Sequence, residues 1–317
     1  MNEVELSQTT KELIQEVEKK IQAPLELEFR DKAVGYLRHD QAQHYLHGGK
    51  LKVEVYDKTA PDYTITHELL HFLLLLEQTP KIAFNLTTGK IERDHKFMLA
   101  GVELYDTVLH FKVYERQREL AVITDEIEEL YFKGLLAVLE PEPRESRDQW
   151  MVLRTLTLLD ALVFFKDQQA SVLPKLQELY PQATAAAQKL YALLTEKKLE
   201  TAFELRRAVV RLWKAFDEQL RAWQLLPMQL NDFITLTPVL SARQLRLPVN
   251  SLFEFYHSPW QENLEFTSAY IGRAKVDQQN TFVLPTPKEE AKTYFQKLYS
   301  LSTKELLERL GIEYLVR

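Results

Sequence analysis

The chain has 317 residues, 45% of them hydrophobic and 27% charged, with a formal net charge of -6; these are globular values, which exclude disordered and collagen-like chains and predict two domains, or one domain with a large extension. Cysteine is absent, so disulfide scaffolds, thiolate nucleophiles and Cys-ligated zinc are excluded, and any metal must be held by His, Asp or Glu. The acidic balance and the lack of a long basic run argue against a nucleic-acid partner, and apolar runs such as Phe72 to Leu76 fall far short of the roughly 18 residues of a membrane helix.

The start of the chain is acidic, with no basic region followed by an apolar stretch, so no secretory signal is read and a cytoplasmic location is expected. Glycine is scarce, at 8 residues, and helix formers dominate, so the expected class is mainly α (α+β) with a small sheet. Ser7 to Ile21 reads as an amphipathic helix through Leu13, Ile14, Val17 and Ile21, and Pro24 stops it. Leu25, Leu27 and Phe29 alternate with charged residues as in a half-buried strand. A second extended piece is expected around Val34 to Arg38 or Ala42 to Leu46. Turn chemistry at Gly48-Gly49 leads into a strand from Leu51 to Tyr56, so a small sheet is expected between residues 25 and 56.

Helices follow from about Tyr63 to Glu77, Ile91 to Leu120 and Thr124 to Leu139, the last with an acidic first turn that suits the helix dipole. Glu140 to Arg147 is charged, contains Pro141 and Pro143 and carries no apolar residue, which makes it the expected boundary between a domain of residues 1–140 and an accessory helical region of residues 141–317. Residues 148–224 read as about three helices, split near Ser171 to Pro174 and Lys197 to Glu200. In 227–287, prolines (Pro227, Pro238, Pro248, Pro259, Pro285) fall among aromatic residues, and irregular structure is expected. A last helical segment covers Lys288 to Leu310.

The chemistry is concentrated in His67-Glu68-Leu69-Leu70-His71. Residues four apart on a helix share a face, so the two imidazoles can converge on one ion, while Glu68 can reach the water that the ion holds. With Thr64, Ile65 and Thr66 before it and Phe72 and Leu73 after it, the segment resembles the zincin-like metallopeptidases. The resemblance covers roughly residues 40 to 120. It implies Zn²⁺ as cofactor, His67 and His71 as ligands, Glu68 as general base, and a peptide or protein substrate aligned by β-augmentation along the strand at residues 51–56.

The third ligand is open. A metzincin would place Gly and His where this chain has Leu74 and Glu77, so the donor is expected from the next helix, as in gluzincin-like zincins. At about 100° per residue, Glu103, Asp106 and His110 fall within a sector of about 60° of that helix. His110 is the first candidate, with Asp106 orienting a ligand as a hydrogen-bond acceptor; Glu103 is the gluzincin-style alternative, although its usual acidic companion is replaced by Thr107. A hydrogen-bonded polar seam is the non-metal reading of that stripe.

His39, His44 and His47 near the glycine turn and His95 at a helix start read as solvated. His257 in an aromatic loop reads as packing, with oxyanion stabilisation as its functional alternative. Tyr63 and Tyr105 are core tyrosines or carbonyl polarisers. The expected function is zinc-dependent hydrolysis of a peptide or amide bond. The rival readings are a non-catalytic zincin-fold scaffold or metal-sensing interaction protein, and a regulatory peptidase with one protein substrate.

Overall fold

A computed structural model describes residues 4–38, 40–48, 50–143, 148–262, 268–284, 287 and 290–317, with the side chain of His47 also left aside. His39, Gly49, Arg144 to Arg147, Pro285 and Lys288, which enter the expectations above, lie outside the described residues. The chain is mainly helical with small sheets. In order, its first elements are α1 (Gln8–Ile21), β1 (Leu25–Phe29), β2 (Ala42–His47), β3 (Lys50–Val55), α2 (Pro61–Leu76), β4 (Ile82–Ala83), α3 (Ile91–Glu119), α4 (Asp125–Val138), α5 (Met151–Phe165), α6 (Gln169–Leu179), α7 (Pro181–Thr195) and α8 (Ala202–Ala222).

Two compact units interleave in sequence: residues 1–77 with 109–191, and residues 78–108 with 192–317. The expected boundary at 140/141 thus falls inside the first unit. The reason is local: Glu140 and Glu142, in the described part of this charged stretch, are tied down. The Glu142 carboxylate accepts hydrogen bonds from the Gln182 and Ala183 amides at the start of α7, and the Arg154 guanidinium donates to the Glu140 carbonyl. An anion at a helix N-terminus satisfies orphan amides and the dipole at once, so Glu142, which reads as part of a linker, is instead a cap.

In the first unit, Ser7 caps α1 by accepting from the Thr10 amide, and Leu13 and Val17 are buried. The sheet order is β1-β3-β2, with β1 parallel and β2 antiparallel to β3. Leu51, Val53 and Val55 are fully buried while Lys52 and Glu54 are not, which is the alternation of a sheet with one covered face. The covering element is α2, packed on β2 and β3. Pro61 starts α2, where its missing N–H costs nothing, with Asp62 beside it in the first turn. The Asp62 carboxylate also accepts from the Ser7 amide and from the hydroxyls of Ser7 and Thr10, which joins the starts of α1 and α2.

The sheet order corrects one expectation. The strand at residues 51–56 is central rather than an edge, because β1 and β2 occupy both its hydrogen-bonding sides. Among the described residues, the outer edges belong to β1 and β2.

Further on, α5 is buried almost all round, Pro174 lies inside α6 rather than at a break, and the chain instead turns at Lys166 with φ 40°. Residues 148–224 therefore hold four helices, one more than expected. In the second unit, the segment expected to be irregular contains an antiparallel sheet of strands Phe253–Ser258, Ala269–Ala274 and Asn280–Leu284. Gly272 of the middle strand admits the Phe282 ring, whose nearest atoms would sit 2.0 Å from a Cβ there. The last helical segment is two helices, Ala291–Tyr299 and Thr303–Arg309, the second started by a capping box of Ser302 and Glu305.

In the first unit, Gly134 of α4 lets the loop after β1 pass close: a Cβ there would lie 1.7 Å from the Leu37 carbonyl oxygen. That neighbour is backbone and cannot rotate away. Gly134→Ala should cost about 1–3 kcal/mol through overpacking, to be read as a lowered denaturation midpoint; an unchanged midpoint contradicts this packing.

Candidate metal centre

The residues of interest all belong to the first unit, which includes α3 from Leu109 onward. On α2, His67 and His71 stand one turn apart with ring centroids 4.8 Å from each other, and each lies 4.9 Å from the ring of His110 on α3. One ligand-capable atom from each of the three falls within 4.8 Å of the others. The group could hold one metal ion. His67 and His71 are partly buried, and His110 is 6% exposed.

The relative placement of α2 and α3 is fixed next to the histidines. Gln117, fully buried on α3, donates from its amide nitrogen to the Tyr63 carbonyl and to the Thr66 hydroxyl, 2.9 Å each. Thr66 in turn donates to the Asp62 carbonyl. Buried polar groups must be paired, so this contact holds the two helices in a defined register two turns from His110.

His110 presents Nε2 to Nε2 of His71 at 2.9 Å, while its Nδ1 faces the Asp160 carboxylate of α5. The same carboxylate accepts from the hydroxyls of Tyr114 at 2.8 Å and Tyr131 at 2.7 Å. The acceptor behind His110 is thus Asp160, where the sequence had offered Asp106. Neither Asp106 nor Glu103 belongs to the group of converging donors; both lie in the stretch of α3 assigned to the other unit.

Around the three rings stands an aromatic wall. Tyr63 and Tyr114 tilt against His67, Tyr114 against His110, and Phe164 stacks on Tyr131 with centroids 3.8 Å apart. Burial drives the Tyr114 and Tyr131 hydroxyls well above their ordinary pKa, with the Asp160 charge adding to it, so both remain protonated donors. Burial likewise holds His71 well below its ordinary value, and the neighbouring His67, His110 and His44 push it the same way. A neutral imidazole has a lone pair to offer a metal.

Glu68 points to a different partner. Its Oε2 accepts from Nδ1 of His44 at 2.7 Å, and the His44 ring meets Phe72 edge-on at 5.9 Å. Burial pushes the Glu68 carboxyl up, but the hydrogen bond from His44 and the nearby histidines outweigh it and leave the group below its ordinary value. Glu68 is thus held as an ionised carboxylate.

His44, read from the sequence as solvated, is instead part-buried against Glu68, and Asp160 is a residue that the sequence reading passed over. Each left a signal. His44 pairs across β2 and β3 with Val53, and cross-strand partners share a face, so a histidine opposite a buried valine looks inward. Asp160 is one acid in the apolar run Leu158-Leu159-Asp160-Ala161-Leu162-Val163-Phe164-Phe165, which requires partners in the fold. Of the other candidates, His95 is exposed and His257 lies exposed on a strand rather than in a loop, edge-on to Tyr270. Tyr105 spends its hydroxyl on the Pro80 carbonyl.

Comparison of the chain with family models, with curated proteins and with solved structures gives no match. No helix among the described residues is long and apolar enough to cross a membrane.

The His71 environment sets the sign of a pH effect. Its pKa in the folded chain lies below that of the unfolded chain, so the unfolded state binds the proton first as pH falls through about 6.5. Metal-free protein should lose stability between pH 7 and 5, by at most about 1.4 kcal/mol per pH unit for one group. Urea denaturation at three pH values measures it, and His71→Gln should flatten the slope; a wild-type slope of zero contradicts the assignment.

Proposed function

We propose that this chain is a zincin-like hydrolase that cleaves a peptide or amide bond with one Zn²⁺ held by His67, His71 and His110. The reading rests on the convergence of three imidazole donors within 4.8 Å, two of them one helical turn apart, with the Glu68 carboxylate on the same turn. Three imidazole nitrogens are the protein donor set of a catalytic zinc site, which keeps its fourth position for water. Bound zinc would polarise the scissile carbonyl and acidify its water toward neutral pH.

The chain's own residues supply the proton chemistry. Glu68 accepts the proton of the attacking water and returns it to the leaving nitrogen. His44 donates to Oε2, which fixes the carboxylate and leaves Oε1 for the water. The tyrosines and Phe164 exclude bulk solvent behind the three histidines, so that charge interactions there are strengthened. An extended substrate would add to the outer edge of β2, the strand that carries His44, with main-chain hydrogen bonds supplying affinity.

Elemental analysis and a peptide-library digest test the reading. Wild-type protein should carry one zinc, His67→Ala and His71→Ala should lose it, and Glu68→Gln should keep it while turnover falls by about 10²–10⁴-fold. Protein without stoichiometric metal that also ignores added zinc would remove the hydrolase. Zinc retained without cleavage of any peptide or co-purifying protein would favour the metal-sensing scaffold.

A further inference from the structure

Building on the proposal that His67, His71 and His110 bind zinc, we infer that Asp160 is a positioning residue of the metal centre: its carboxylate makes His110 a ligand and supplies part of the charge that balances a divalent ion. It lies on α5, in the stretch expected from sequence to be accessory.

The argument starts from cost. The Asp160 side chain is 2% exposed, and its neighbours Leu158, Leu159, Ala161 and Leu162 are buried with it. Carrying an ionised carboxylate to such a place costs several kcal/mol unless donors and a positive charge compensate. The donors are present: two tyrosine hydroxyls on Oδ2 and the His110 ring on Oδ1. Tyrosine hydroxyls at this burial stay protonated, so they satisfy the oxygens without cancelling the charge. A seam that served packing alone would be met by a neutral side chain at lower cost. A charge placed one imidazole away from three converging nitrogens is compensated once a cation sits among them.

The hydrogen bond also decides which nitrogen of His110 is used. A carboxylate at Nδ1 keeps the proton there, so the lone pair is on Nε2. That is the atom facing Nε2 of His71 at 2.9 Å. The carboxylate makes the ring a stronger donor to a metal. Three neutral imidazoles leave a divalent ion uncompensated; Asp160 and Glu68 together bring the assembly to neutrality.

The two tyrosines come from different helices, Tyr114 from α3 and Tyr131 from α4, and the carboxylate from α5. The position of His110 is therefore set by three helices, and α5 is as much a part of the centre as α2.

The test uses the full chain and zinc alone. Zinc affinity is measured by competition with a chromophoric chelator for wild type, Asp160→Asn and Tyr131→Phe, and ¹⁵N NMR of the metal-free proteins reports which His110 nitrogen is protonated. Asp160→Asn should weaken zinc by about 10–100-fold and remove the preference for protonated Nδ1. Tyr131→Phe keeps the carboxylate, so it should lower the denaturation midpoint while changing zinc affinity much less.

Folded Asp160→Asn that binds zinc as wild type does overturns this inference alone. So does Tyr131→Phe weakening zinc as much as Asp160→Asn. If Asp160→Asn does not fold, the wild-type spectrum decides, and an unprotonated Nδ1 on His110 overturns the assignment. A wild-type chain that takes up no zinc overturns the metal reading itself, and this inference with it.

Discussion

The convergence of three imidazoles from two helices is the constraint that organises the first unit. Imidazoles are polar, and placing three of them together in a partly buried position is unfavourable unless each nitrogen is used. For His110 the structure meets the requirement from two directions. On one side Asp160 occupies Nδ1 of His110, and on the other the Nε2 atoms of His110 and His71 face each other. The neighbouring contacts of Gln117 with Tyr63 and Thr66 keep α2 and α3 from sliding, because a slip of one residue would leave those buried groups unpaired. Packing and site geometry are thus maintained by the same few polar contacts.

The sheet contributes through one strand. Because β3 is flanked on both sides, β2 is the strand that combines an outer edge with contact to α2, and its inward face places His44 against Glu68. The structure gives the two carboxylates different surroundings. Glu68 accepts a hydrogen bond from one imidazole on Oε2, and its side chain is 15% exposed, whereas Asp160 is enclosed by two tyrosine hydroxyls and an imidazole.

The sequence carried the local part of this directly. Spacing on a helix is a short-range property: His67 and His71 share a face because 3.6 residues make a turn, and the flanking apolar residues bury the rest of α2. His110 was legible as a candidate because a polar residue in a mostly apolar helix needs a partner. The strand alternation of Leu25, Leu27 and Phe29 and the acidic first turn of α4 were legible for the same reason, since neighbours in the chain suffice to produce them. The antiparallel sheet of Phe253–Ser258, Ala269–Ala274 and Asn280–Leu284 was obscured by Pro248 and Pro259, which fall before and just after its first strand rather than in it.

What the sequence determined by itself is a mainly helical chain with a small sheet and a helix bearing two imidazoles and a carboxylate on adjacent positions. The tertiary structure decided what lies opposite them: His110 rather than Glu103 or Asp106 in the donor group, Asp160 behind it from fifty residues further along, His44 on Glu68 from the other direction, and β2 rather than β3 at the edge. These are choices among residues distant in the chain. They depend on how helices and strands register against one another, and no periodicity within a single element encodes that register.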